Sequence, residues 1–291
     1  MFNLEQLAAF VAAVESGSFS AAARRLGKSQ SSVSIGVNNL ELDLGVTLFD
    51  RSTKYPTLTV QGERLYEQTK VVLRQADRLQ SYAKGVINGV EDTIKIGIDP
   101  LVPFSVIDTA LEKVAQVYPY IQVQIVKLFG DELNNAILDE SVQLGLHLSA
   151  QAVPVNLEFA VIANIEWVCI CSPDSEFADK ETVYNEDLIN FRQIVCSSML
   201  ENNAVKSIAL LSQEVWQAED QDDVIRLVEQ GLGWAYAPKS MALEKEATGS
   251  LIVFSPEFKC EELYYSCDLI WKASAHYGPA LQFILQQLTA K

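Results

Sequence analysis

Histidine is scarce in this chain: His147 and His276 are the two among 291 residues. Neither has a metal-ligand or triad partner at useful spacing, so metal hydrolysis and Ser–His–Asp chemistry find no support. No G-x-S-x-G occurs. Gly231-Leu232-Gly233 lacks the third glycine and follows a helical stretch, so it is no dinucleotide fingerprint. No run of about 18 apolar residues exists, which argues against a transmembrane helix. The first residues carry Glu5 and no basic segment, unlike a secretory signal. Cysteines number five, an odd count that fits a reducing compartment better than a disulfide framework. A cytoplasmic protein without metal or cofactor is expected. Positive charge is also short, with 22 Lys and Arg against 38 Asp and Glu and a net charge of −16. Taken as an average, that argues against a nucleic-acid partner.

The average hides an asymmetry. Residues 1–90 carry a net +2 and residues 91–291 a net −18. The first third reads as helices. Asn3 and Gln6 make a capping-box pair. Leu4, Leu7, Ala8, Phe10, Val11 and Val14 then recur at a helical period until Gly17. Ser18 caps a short helix, Phe19 to Leu26, closed by Gly27. Ser29 caps a third, Gln30 to about Leu44, with Val33, Val37, Leu40 and Leu44 inward and Gly45 as its stop.

Three helices with short glycine turns fit a helix-turn-helix, whose last helix presents its early residues to base edges. Those residues are Gln30, Ser31, Ser32 and Ser34, with Ser20 and Ser29 beside them. Gln pairs bidentately with adenine, and Ser bonds several bases or phosphate. Arg24, Arg25, Lys28, Arg51 and Lys54 flank the helix as phosphate contacts. The same periodicity also fits any small helical bundle with a polar solvent face. Ser52 to Leu58 reads as a short β wing around Lys54-Tyr55-Pro56.

A long helix then runs from Thr59 to about Asn88, roughly 43 Å at the α-helical rise. Leu65, Val72, Leu79 and Val86 are spaced by sevens, with Thr69, Ala76 and Ala83 four residues after the first three. This is an a/d seam for self-association. Gly85, Asn88 and Gly89 mark its exit.

Several stretches together resemble the DNA-binding half of LysR-type transcriptional regulators. They are LEQLAAFVAAVESG from Leu4, SFSAAARRLGKSQSSVS from Ser18, Leu40-Glu41, Gly45 to Arg51, and Leu58 to Glu63. The resemblance implies a winged helix-turn-helix over 1–58 and a linker helix and hinge over 59–90. It also implies an α/β effector-binding domain over 91–291, built as two Rossmann-like subdomains of periplasmic-binding-protein type. The implied assembly is a homodimer, or a tetramer of dimers, that binds double-stranded DNA and a small-molecule effector. Ile35-Gly36 stands where the family often has a polar or basic pair, which removes a side chain expected to touch DNA.

From residue 93 strands alternate with helices, the pattern of parallel sheets. Strands are predicted at Thr93–Ile98, Ile121–Val126 and Val142–Leu148, with a helix near Asn134–Leu138. Leu157–Ala163 and Tyr264–Trp271 are crossovers. They divide the region into lobe I (91–162 and 269–291) and lobe II (163–268). The second lobe takes strands at Trp167–Cys171, Gln193–Cys196, Glu214–Ala218 and Trp234–Ala237, and Pro279–Leu288 is a closing helix.

Ligands in open α/β sheets sit beyond the carboxyl ends of strands. That selects Asp99-Pro100, Gly130-Asp131 and Cys196-Ser197-Ser198. The family often has Ser or Thr at the first two places, where this chain has Asp. Each Asp could equally cap the next helix. Two carboxylates with no nearby basic residue favour a cationic, neutral polyhydroxy or metal-bridged effector over a simple anion. His147 reads as core or lobe interface, and Cys169 and Cys171 as packed small hydrophobes. Cys196, beside a helix start that can lower a thiol pKa, is an alternative oxidant-sensing site. A reading of another class is a ligand-binding or enzymatic α/β protein whose N-terminal helices only dimerise.

Overall fold

The computed structural model describes residues 1–52, 56–87, 89–149, 153–257, 263–273, 275 and 277–290. Lys54, Cys260 and His276 lie outside them, as does the side chain of Val86. The chain divides into two compact units, Met1–Asn88 and Gly89–Lys291.

The first unit opens with α1 (Leu4–Glu15), α2 (Phe19–Leu26) and α3 (Gln30–Leu44). The predicted caps form. Asn3 and Gln6 exchange both bonds of a capping box, Ser18 accepts from Ala21 N–H, and Ser29 accepts from Ser32 N–H. Gly27 and Gly45 end their helices at φ of 63° and 71°, in the left-handed region where a Cβ is penalised. The helices bury Phe10, Ala22, Val33, Val37 and Leu40 against one another. Two short strands, β1 (Phe49–Asp50) and β2 (Thr57–Leu58), pair antiparallel as the wing. The ring of Phe49 meets Phe10 edge-on at 5.7 Å.

Then α4 (Val60–Ile87) runs for 28 residues. Its first turns belong to the head, with Leu65, Tyr66 and Leu73 packing on the three-helix core and Thr69 buried. Leu65, expected on the self-association seam, is therefore partly used within its own chain. Further on, Val72 and Leu79 are 44% and 70% exposed. They leave an uncovered apolar stripe on an otherwise polar helix.

The second unit alternates β3 (Thr93–Ile98), a 3-10 turn at Phe104–Val106, α5 (Asp108–Val117), β4 (Gln122–Lys127), α6 (Gly130–Leu138) and β5 (Leu144–Leu148). Strands β4, β3 and β5 lie parallel in that order. Next comes β6, a single 15-residue strand from Leu157 to Cys171. Sequence reading splits it in two, because Asn164 and Glu166 interrupt its apolar pattern. Its partner holds it together. In β11 (Leu263–Lys272) Ser266 faces Asn164 in register and donates to its side chain at 2.8 Å.

Between β6 and β11 lie α7 (Asn185–Asn190), β7 (Gln193–Cys196), α8 (Ser197–Glu201), α9 (Asn203–Ala209), β8 (Val215–Ala218), α10 (Gln221–Glu229), β9 (Ala235–Pro238), α11 (Lys239–Ala247) and β10 (Ile252–Phe254). Both β9 and β10 pair with the second half of β6, and β7 pairs parallel with β8. The chain closes with α12 (Pro279–Thr289). The antiparallel pair β6–β11 thus carries one sheet order, β10-β6-β11-β5-β3-β4, through both lobes.

Candidate functional sites

In the head, the N-terminal half of α3 is the exposed polar face. Gln30, Ser31 and Ser32 are exposed and Ser34 is half-buried. The hydroxyl of Ser29 lies 2.9 Å from that of Ser31 and 2.8 Å from that of Ser32, a hydroxyl cluster at the start of the helix. Ser20, Arg24 and Lys28 are also exposed. Lys28 pairs with Glu5 at 2.9 Å and Arg25 with Glu15 at 2.5 Å. Such surface pairs hold weakly and can exchange for phosphate.

Arg51 does more than flank the helix. It bonds Asn38 and pairs with Glu41 at 2.9 Å, and its guanidinium lies over the Phe19 ring at 5.7 Å. Glu41 in turn accepts the N–H groups of Leu48 and Phe49. The wing is thereby tied to α3 through Arg51. The expectation for Ile35-Gly36 needs correcting at one position. A Cβ on Gly36 would lie 3.6 Å from that of Ala9, so Gly36 faces α1 and takes no side chain away from the exposed face. Ile35, 58% exposed and four residues after Ser31, is the residue that shares that face.

In the second unit a cavity open to solvent lies between the lobes. Asp99, Gly130 and Ser198, three of the predicted residues, line it. Asp99 follows β3, and its Oδ1 accepts from Leu101 N–H at 2.9 Å and from the Ser198 hydroxyl at 2.8 Å. The second bond joins the lobes. Asp99 is 5% exposed, and burial pushes its carboxyl up to about 6, opposed by those two donors and by Lys127.

The other predicted residues fall outside the lining. Pro100 is buried. Asp131 is exposed in the first turn of α6 and caps nothing with its side chain. Gly130, Leu133 and Asn134 are the face of that helix turned to the cavity, and one residue on from Gly130 the helix points elsewhere. Ser197 donates to Ala218 C=O at 3.0 Å.

Cys196 is fully buried at the end of β7, its Sγ 3.6 Å from the Ser198 hydroxyl and 3.5 Å from Glu219 C=O. Burial pushes the thiol up to about 11, the reverse of the lowering expected from a helix start. At neutral pH it stays protonated, and thiols in that state react slowly with oxidants. Cys169 is likewise buried and raised to about 12.

Sequence reasoning missed Asn134, Glu201 and Asn202 as lining residues and had His147 as core or lobe interface. Helical spacing carries the missing signal, since Glu201 and Asn202 stand three and four residues after Ser198. His147 comes from β5, opposite Asp268 of β11. Its Nε2 is buried without a hydrogen-bond partner among the described residues. Burial holds the imidazole below its ordinary pKa, with Asp268 opposing, so it is neutral at pH 7. Among the described residues no group of three or more metal-ligating side chains occurs, and no helix is long and apolar enough to cross a membrane.

Comparison with known proteins agrees with this division. Residues 4–63 match the bacterial regulatory helix-turn-helix protein of the lysR family, and residues 88–291 match the LysR substrate binding domain. The transcriptional regulator AceR of Acinetobacter baumannii is 28% identical over 99% of this chain and 97% of its own length. The multiple virulence factor regulator MvfR of Pseudomonas aeruginosa is 27% identical over 96% of this chain and 82% of its own. Full-length BenM superposes with a TM-score of 0.62 at 18% identity, covering 99% of this chain and 95% of that one. Full-length OxyR from Pseudomonas aeruginosa superposes at 0.58 and 20% identity, covering 99% and 100%. A match spanning the whole second unit, joined to the regulatory helix-turn-helix in the first, makes this chain a member of the LysR family of transcriptional regulators, with a DNA-binding head and an effector-binding domain.

Proposed function

We propose that α3 enters the major groove of duplex DNA and reads it with Gln30, Ser31, Ser32, Ser34 and Ile35, while Ser20, Ser29, Arg24, Lys28, Arg51 and Lys54 contact the backbone. The observation that carries this reading is the exposed hydroxyl and amide face at the capped start of α3, fixed on a buried three-helix core. Gln30 offers a bidentate partner for adenine, and the exposed Ile35 offers an apolar one for a thymine methyl. Two heads are held together by the stripe through Val72, Ala76 and Leu79, in a dimer or a tetramer of dimers. CbnR, whose full-length structure is solved with its target DNA, has the same fold at a TM-score of 0.53 and 20% identity. The cleft around Asp99, Gly130 and Ser198 takes the effector, and the Asp99–Ser198 bond between lobes couples its occupancy to lobe position. The working compartment is the cytoplasm.

The test uses duplexes selected from random DNA by the purified protein. Gln30→Ala weakens the selected duplex by about 1–3 kcal/mol and leaves random DNA unaffected. Uracil in place of one thymine per half-site weakens wild type but not Ile35→Ala. Equal affinities for all combinations reject the recognition-helix assignment.

A further inference from the structure

Among the described residues that line the cleft, two are carboxylates, Asp99 and Glu201, and none is a lysine or arginine. Resting on the reading of this cleft as the effector site, we propose that the effector is a small organic cation. Its ammonium or amidinium end sits at Asp99 and its short apolar body lies along Phe129, Leu133 and Val153.

Asp99 is the first reason. A carboxylate withdrawn from water is stable when a cation or several donors compensate it. The bonds described for Asp99 come from two neutral donors, the Leu101 N–H and the Ser198 hydroxyl, and Lys127 is an exposed residue acting from a distance. The elevated carboxyl agrees with that geometry. A ligand cation supplies the missing charge.

The second reason is the fate of the one feature that would favour an anion. A helix N-terminus attracts negative charge, and α6 begins at the cavity with no side-chain cap. Glu201, however, reaches that end from the other lobe. One of its carboxylate oxygens lies 3.5 Å from the place a Cβ on Gly130 would occupy. The protein's own carboxylate thus stands beside the first turn of α6. An incoming carboxylate meets the buried Asp99, and like charges in a partly desolvated cleft repel. His147 is neutral and does not offset them. Its Nε2, without a hydrogen-bond partner among the described residues, leaves one further polar group for a ligand hydrogen bond. A metal ion is the poorer fit, because no set of three metal-ligating side chains converges among the described residues.

Thermal shift and calorimetry on the full-length protein at pH 7.5 test this. The cationic probes are butylamine, 1,4-diaminobutane and butyramidine. Butyrate, succinate and benzoate serve as anions, and xylitol as the neutral polyol. At least one cation raises the melting temperature saturably. Asp99→Asn, which keeps the acceptor oxygen and removes the charge, weakens that cation by about thirtyfold or more. The proposal is overturned if no cation binds saturably, or if a cation binds Asp99→Asn as well as wild type. Ser198→Trp, which fills the cleft, separates the two levels of the argument. An anion or polyol that binds wild type and is lost in Ser198→Trp rejects the cation and keeps the cleft. A probe that binds Ser198→Trp as well as wild type rejects the cleft itself.

Discussion

Replacing Asp99 by Asn should make the protein more stable near neutral pH while impairing its regulation. The Asn Oδ1 can still accept from Leu101 N–H and the Ser198 hydroxyl, so the interlobe bond survives. What disappears is a buried charge. The carboxyl stands at about 6 in the folded chain against an ordinary 3.8. Between those two values the folded protein holds a proton that the unfolded chain has lost. Wild-type stability therefore falls as pH rises through that window, by about 3 kcal/mol in full. Asp99→Asn lacks this contribution. Because an amide accepts hydrogen bonds less strongly than a carboxylate, the net gain at pH 8 should be about 1–3 kcal/mol. Urea unfolding at fixed protein concentration from pH 4.5 to 8 measures it, with the buried Trp167 and Trp234 as fluorescent reporters. The gap between the two proteins should widen as pH rises from 4.5 to about 6 and stay constant above that. A variant that is less stable than wild type at pH 8, with the same pH slope, would refute the reasoning.

Other perturbations probe other parts of the molecule. Gly62→Ala places a Cβ 2.2 Å from the Leu48 carbonyl oxygen, so it should destabilise the head by about 1–3 kcal/mol in urea unfolding, although Ala is otherwise the better helix former. Leu79→Asp should leave the single-chain fold intact, since that side chain is 70% exposed, and should shift sedimentation toward monomer; an unchanged dimer would place the main interface elsewhere. Peroxide should leave duplex binding unaltered, because the Cys196 thiol is buried and raised to about 11, and a peroxide response abolished by Cys196→Ser would contradict this. Arg51→Ala should flatten the salt slope of duplex binding by about one and lower affinity for all duplexes alike, as filter binding over a salt series would show.

The head was legible because its signals are local. Asn3 with Gln6, Ser18 and Ser29 each cap within three residues, and Gly27 and Gly45 stop helices by their own backbone freedom. Strands β3 and β5 were legible from their apolar runs. The cleft was only partly so. Asp99, Gly130 and Ser198 obey the strand-end rule, but Asp131 fails it because a helix turns about 100° per residue and carries that side chain away. Glu201 and Asn202 follow from the spacing after Ser198, whereas His147 enters the site through tertiary closure, which no local pattern encodes. Cys196 misled for a related reason. The helix start beside it is real, but burial outweighs its field. The unity of β6 depends on β11, about a hundred residues later, and α7, α11 and β10 were not predicted because each is short and weakly patterned.

Footprinting the purified protein on the DNA upstream of its own reading frame tests the central claim most directly. A LysR-type dimer whose two α3 helices read DNA should protect two half-sites separated by whole helical turns, about 10 base pairs or a multiple. Gln30→Ala should lose that protection while still binding DNA weakly and without sequence preference. Uniform protection by wild type and Gln30→Ala alike, or none at low salt, would contradict the account.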